Sequence, residues 1–128
     1  LINPEKNINS GSYQLFISIS NDIEISVGKL GLLKFTGGEY IYTGSAMKNL
    51  IQRVERHKRK EKKIKWHIDY LLANAFVSIS EVKIKYSIIK EECKINQESI
   101  QFYDAEIPVK KFGSSDCKKC QSHLIKIK

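Results

Sequence analysis

Apolar and polar residues alternate with a period of two over residues 23–27, and two stretches on either side of it share its strand-forming composition. Residues 13–20 are rich in β-branched and aromatic side chains, residues 23–27 read Ile-Glu-Ile-Ser-Val, and residues 39–43 end against Gly44. Such alternation predicts half-buried strands. The Asn21-Asp22 turn signal joins the first two as a hairpin, and Gly28, Gly31, Gly37 and Gly38 punctuate the approach to the third. Past Gly44 the period lengthens to about 3.6. Leu50, Val54 and His57 then share one stripe with Ile51 beside it, which predicts a helix over 47–61. A second helix over 66–74 turns Ile68, Leu71, Leu72 and Ala75 inward. Alternation returns over 77–86, with a phase slip at Ser80-Glu81 that predicts a bulge. A weaker helical segment covers 88–95, the chain reads as loop from Gln97, and residues 123–127 alternate as a last strand.

This order places the chain in the α/β class of α+β type: a small central, mostly antiparallel sheet flanked by helices. The 128 residues suffice for one compact domain, assigned to 11–128 after a polar lead-in over 1–10. No apolar run approaches the roughly 18 residues that span a bilayer, and residues 1–10 lack the pattern of a secretory signal. A cytoplasmic location and no membrane partner are therefore expected. The three cysteines, Cys93, Cys117 and Cys120, point the same way, because an odd count without a signal segment argues against a disulfide framework.

Charge narrows the partner. The formal net charge is +8, and Lys and Arg displace counterions from phosphates, although a solvated lysine-rich surface explains the same total. The arginines are more telling. There are only Arg53, Arg56 and Arg59, all in one short stretch, and a guanidinium supplies a planar fork that an ammonium lacks. Arg53 and His57 are four apart and project from one helix face. Arg53 suits paired, charge-assisted bonds to a phosphate oxygen, and His57 suits a water or a hydrogen bond within a cleft. Arg56 and Arg59 turn away from that face and, with Lys58, Lys60, Lys62 and Lys63 of the cationic run that follows, would grip flanking phosphates.

Three features together resemble the GIY-YIG nuclease superfamily. Gly11-Ser12-Tyr13 opens the first strand, Tyr42-Thr43-Gly44 closes the third, and Arg53 with His57 follows on the next helix. Ser12 and Thr43 replace the usual apolar central letters. The stretch 40–46, the Trp-His-Ile-Asp-Tyr-Leu-Leu segment over 66–72 and the tail from Phe112 through His123-Leu124 resemble more closely an uncharacterised group, DUF123, found alone or appended to endonuclease III-like proteins. The resemblance implies a metal-dependent endonuclease acting on DNA. Tyr13 would be the base or the water-orienting group, Tyr42 its support, Arg53 the phosphate clamp and His57 an auxiliary. A phenol has an unperturbed pKa near ~10 and needs a neighbouring cation before it acts as a base at neutral pH. The resemblance also implies a divalent ion, Mg²⁺ or Mn²⁺, on one glutamate of a later helix. Glu91 and Glu92 are the candidates, and Glu92, which precedes Cys93, is preferred.

A second cluster lies in the tail. Cys117, Cys120 and His123 follow one another at spacings that suit tetrahedral zinc; Cys93, His67 or Asp116 would supply a fourth ligand. A Cys117–Cys120 disulfide or two packed thiols explain the pattern as well. Trp66 and Tyr70 share a helix face and would either stack a base or cap the core, the latter being preferred. Two further functional readings stand beside the nuclease. One is a nucleic-acid-binding accessory domain without cleavage, for which a DNA-repair protein is a suitable partner, as it is for the nuclease. The other is a zinc-stabilised interaction module.

Overall fold

The structure, a computed structural model, describes residues 8–114 and 119–128. Its elements are β1 (Gly11–Ile19), β2 (Ile23–Ser26), a 3-10 turn (Gly28–Leu30), β3 (Leu32–Phe35), β4 (Gly38–Ala46), α1 (Leu50–Lys58), α2 (His67–Leu72), β5 (Val77–Tyr86), α3 (Glu92–Tyr103) and β6 (Leu124–Lys126). Four strands form one antiparallel sheet in the order β5-β1-β4-β6. The fold is α+β, and among the described residues no helix is long and apolar enough to cross a membrane.

β1 lies at the centre because it is apolar on one face and covered on the other. Tyr13, Leu15, Ile17 and Ile19 are all buried, and the register sets Tyr13 opposite Gly44, Leu15 opposite Tyr42 and Ile17 opposite Tyr40. On this face sit α1 and α2, which bring Leu50, Val54, Ile68 and Leu71 into the core. The opposite face carries Gln14 and Thr43. Gln14 Nε2 donates to Thr43 Oγ1 and to Ser99 Oγ of α3, so that helix closes the far side. The bulge expected in β5 is present: the pairing slips so that Phe16 meets Glu81 and Ile17 meets Ile79, leaving Ser80 between them.

Three sequence expectations are corrected. β1 and β2 form no hairpin. β2 pairs instead with β3 as a separate two-stranded ribbon, and the turn residue Asp22 accepts from Gly37 N, closing the base of that ribbon. β3 escapes a period-two reading because Leu32 and Leu33 are adjacent apolar residues. The last helix begins at Glu92 and runs to Tyr103, through the segment read as loop. Its buried positions are the polar Asn96 and Ser99, so no apolar stripe announces it, while Ile88 and Ile89, taken for its start, are exposed. Ala75 is exposed as well, because α2 ends at Leu72.

α1 begins later than expected because its first turn is completed from elsewhere. Asn9 O accepts from Leu50 N and Asn9 Oδ1 from Ile51 N, satisfying two donors that a helix start leaves unpaired. Its other end is closed by Lys62, whose ammonium donates to the carbonyls of Arg56, His57 and Arg59.

Candidate functional site

One end of the sheet opens into a cavity of about 1140 Å³, where β1 begins, β4 ends and α3 starts. Tyr13, Tyr42, Arg53 and Glu92 all line it. The tyrosines arrive by register, since Tyr13 and Tyr42 share a sheet face on neighbouring strands. Two glycines make room for their rings. A Cβ at Gly44 would stand 2.5 Å from Tyr13 Oη, and one at Gly113, whose φ is +68°, would stand 2.8 Å from the Tyr42 ring. Both phenols are buried. Desolvation drives each pKa upward against the pull of Arg53, and the nearby charge of Glu92 pushes the same way. Both therefore stay protonated at neutral pH.

His57 stands on the inner side of Tyr13, with Nε2 2.8 Å from the phenol oxygen. Burial lowers the His57 pKa to about 4, outweighing Asp69, which raises it. The ring is neutral at physiological pH, and Nδ1 is buried without a hydrogen-bond partner. Phenol and imidazole thus form one hydrogen-bonded unit with the phenol toward the cavity. Arg53 is half-buried one turn earlier. Its Nη1 donates to Ser45 O at 2.8 Å and its guanidinium carbon lies 4.9 Å from the centroid of the Trp66 ring. Among the described residues no carboxylate is ion-paired with it.

Glu92 opens α3 with its side chain 16% exposed and 3.4 Å from Lys90 Nζ. Glu91 also reaches the cavity but is bound to Lys85 at 3.1 Å. Against these two acids the wall carries Arg53, Lys65, Lys90, Lys94 and Lys119. The wall is net positive.

The six cations assigned to phosphate gripping from the sequence are placed differently, and none lines this cavity. Arg56 is committed to the interior. Its two terminal nitrogens each meet an oxygen of Asp69 at 3.0 Å, and Nη2 also donates to Lys63 O. Lys60 donates to the carbonyls of Leu72, Asn74 and Val77, closing the end of α2. Lys62 closes α1. Lys58 pairs with Glu55, three residues away, while Arg59 and Lys63 are exposed. Folding consumes half of the run, because ammonium and guanidinium donors are what helix ends and a buried carboxylate require. Of the lysines that do face the cavity, Lys65 ends the cationic run, while Lys90, Lys94 and Lys119 are scattered further along the chain.

The tail residues converge from another direction. Cys93 of α3, Cys120 and His123 bring ligand atoms within 4.8 Å of one another, and Cys93 and His123 also line the cavity. Burial lowers the His123 pKa, with Glu92 and a hydrogen bond to the Gly113 backbone opposing it. Cys117 and Asp116, named from the sequence, lie outside the described residues. His67 stands apart from this group as acceptor for Gly113 N at 3.0 Å, on the cavity wall. Trp66 lies between cations. Arg53, Arg56 and Lys65 all approach its ring within 4.9 Å, so it braces the wall.

The family described as domain of unknown function DUF123 matches residues 12–128. The chain belongs to the DUF123 family. No curated protein and no solved structure matches it. The match takes in every element of the DUF123 domain described above that bears on the cavity, from Tyr13 to His123.

Proposed function

We propose that this DUF123 domain is a metal-dependent endonuclease of GIY-YIG type that hydrolyses phosphodiester bonds of DNA. The observation that carries the reading is the meeting of Tyr13, Tyr42, Arg53 and Glu92 on a single open cavity whose wall is rich in cations. Attack of water on a phosphodiester places extra negative charge on the phosphoryl oxygens, and preorganised donors aimed at that charge lower the barrier. Arg53, with no carboxylate ion-paired to it among the described residues and braced by Trp66 and Ser45, supplies the forked donor. Lys65, Lys90, Lys94 and Lys119 hold the flanking phosphates.

Tyr13 acts as a water-orienting group and not as a free phenolate. With its proton donated to His57 Nε2, its oxygen keeps lone pairs for a water in the cavity. Tyr13 so aligns the water for attack at phosphorus, and the proton the water loses leaves to solvent through the open cavity. Tyr42 fixes the phenol's position from the adjoining strand. Glu92 fits a Mg²⁺ or Mn²⁺ ion: one carboxylate in an open cavity leaves room for the waters and phosphate oxygens that complete a hard ion's shell. Such an ion would offset developing charge and acidify a bound water. Lys90 must release Glu92 for this to happen.

A supercoiled-plasmid nicking assay tests the reading. Cleavage is expected with Mg²⁺ or Mn²⁺, absent with EDTA, and lost in Glu92→Gln and Arg53→Ala. The second reading, a nucleic-acid-binding module without cleavage, draws on one observation: Glu92 is already paired with Lys90. Salt-sensitive DNA binding with no nicking under any divalent ion would establish that reading and refute the nuclease.

A further inference from the structure

Cys93 meets Cys120 and His123, 27 and 30 residues further along the chain, beside the cavity, and the hydrolytic reading uses none of them. We propose that Cys93, Cys120 and His123 form a zinc centre that fastens α3 to the C-terminal segment.

The first support is geometric. In a tetrahedral site a thiolate sulfur at ~2.3 Å and an imidazole nitrogen at ~2.0–2.1 Å from the ion stand about 3.5 Å apart. Cys93 Sγ and His123 Nε2 are 3.6 Å apart, and the whole set of three ligand atoms lies within 4.8 Å. Modest contraction around an ion brings the third ligand in. A tetrahedral ion takes its fourth ligand from outside these three side chains.

The surroundings match what a ligand set needs. His123 is buried, and its Nε2 faces the Cys93 sulfur. Gln97 Nε2 points toward Cys120 Sγ at 4.0 Å, a donor directed at a sulfur that carries negative charge once metallated. Two thiolates and an imidazole are soft to borderline donors, which select zinc over the hard ion proposed for Glu92. Binding moves the two thiol protons to solvent.

The second support comes from α3 itself. This helix of 12 residues has only Asn96 and Ser99 fully buried, and both are polar. Phe102, its largest apolar side chain, is 81% exposed. Ile95, Ile100 and Tyr103 are half-buried, and no apolar side chain of the helix is fully buried. What ties it down is polar: Asn96 Nδ2 donates to Ser122 O at 2.7 Å, Gln97 Nε2 to Lys119 O, and Gln14 reaches Ser99. All but the last lead to the segment that carries Cys120 and His123. An ion bridging Cys93 to that segment supplies the strong anchor this interface otherwise lacks, and structural zinc contributes folding energy outright.

The test uses the full chain, purified without chelator and analysed for metals, then stripped and reconstituted with Co²⁺. Zinc at one equivalent per chain is expected. So is an intense thiolate-to-cobalt charge-transfer band with the strong visible absorption of tetrahedral cobalt. Cys120→Ser and Cys93→Ser should each lose the zinc and weaken the band, while Glu92→Gln keeps both. The cobalt spectrum of the unaltered chain, which does not depend on how the serine variants fold, stands as the independent measurement. Absence of the charge-transfer band there, or full zinc retention by both serine variants, overturns the proposal. Neither readout involves cleavage, so loss of the nuclease reading would leave the zinc centre standing, and the reverse.

Discussion

Asp69 is the most heavily bonded carboxylate among the described residues. It is fully buried. Oδ1 accepts from Arg56 Nη1, while Oδ2 accepts from Arg56 Nη2 and from the backbone amides of Lys65 and Trp66, all between 2.9 and 3.0 Å. Asp69→Ala strips four donors of their acceptor at once. Removing one partner of a buried ion pair costs about 3–5 kcal/mol. Arg56 retains its bond to Lys63 O and its stack on Trp66, and its side chain is 19% exposed, so part of the guanidinium is rehydrated. The expected loss therefore lies at the low end, about 3 kcal/mol. For a domain of this size that lowers Tm by roughly 10 °C. Urea unfolding followed by circular dichroism measures it directly. Arg56→Met should destabilise comparably, and the double variant should lose less than the two singles combined, with a coupling of about 1–3 kcal/mol. Strictly additive singles, or a loss below about 1 kcal/mol for Asp69→Ala, would mean that the pair is not the clamp described here.

Three further outcomes follow from the same contacts. His57, held to a pKa of about 4 by burial, binds fewer protons folded than unfolded between about pH 4 and its ordinary value near 6.5. Stability should be complete above about pH 6.5 and fall on acidification through that window, by on the order of 3 kcal/mol; His57→Gln should flatten this slope in urea titrations, and an unchanged slope would contradict the assignment. Gly44→Ala places a Cβ where Tyr13 Oη and Cζ now lie, so the ring must shift; an overpacking loss of about 1–3 kcal/mol is expected, read by thermal unfolding, together with a fall in nicking activity larger than the stability loss explains. Lys60→Met removes the ammonium that closes the end of α2 and should cost about 1 kcal/mol, whereas Lys63→Met, at an exposed position, should leave the denaturation midpoint unmoved.

How much of this was legible in the sequence depends on whether a residue's signal is local. β1, β4, β5 and α1 follow from periodicity because their burial is apolar and regular, and even the β5 bulge shows as a slip of phase. α3 was half lost because its buried stripe is made of Asn96 and Ser99, which look like surface residues until Gln14 and Ser122 are brought against them. The convergence of Tyr13, Tyr42, Arg53 and Glu92 was anticipated from the motif. The structural use of half the cationic run was hidden for a different reason. Lys60 and Lys62 look like a solvent-facing patch in sequence, but their partners are backbone carbonyls, which every sequence offers and none advertises. Cys93 joining Cys120 and His123 was one of several options for the same reason: spacing along a chain cannot rank ligands that approach from separate elements.

The chain contains a single tryptophan, and it stands on the cavity wall with Arg53, Arg56 and Lys65 each within 4.9 Å of its ring centroid. Cations over an indole face perturb its excited state, so Trp66 is a built-in optical reporter whose emission depends on where those groups sit. A polyanion entering the cavity would draw Arg53 and Lys65 toward itself while Arg56 stays fixed by Asp69. The fluorescence of the unlabelled protein should then register occupancy in real time, with Arg53 and Lys65 as the moving quenchers and Arg56 as a constant background.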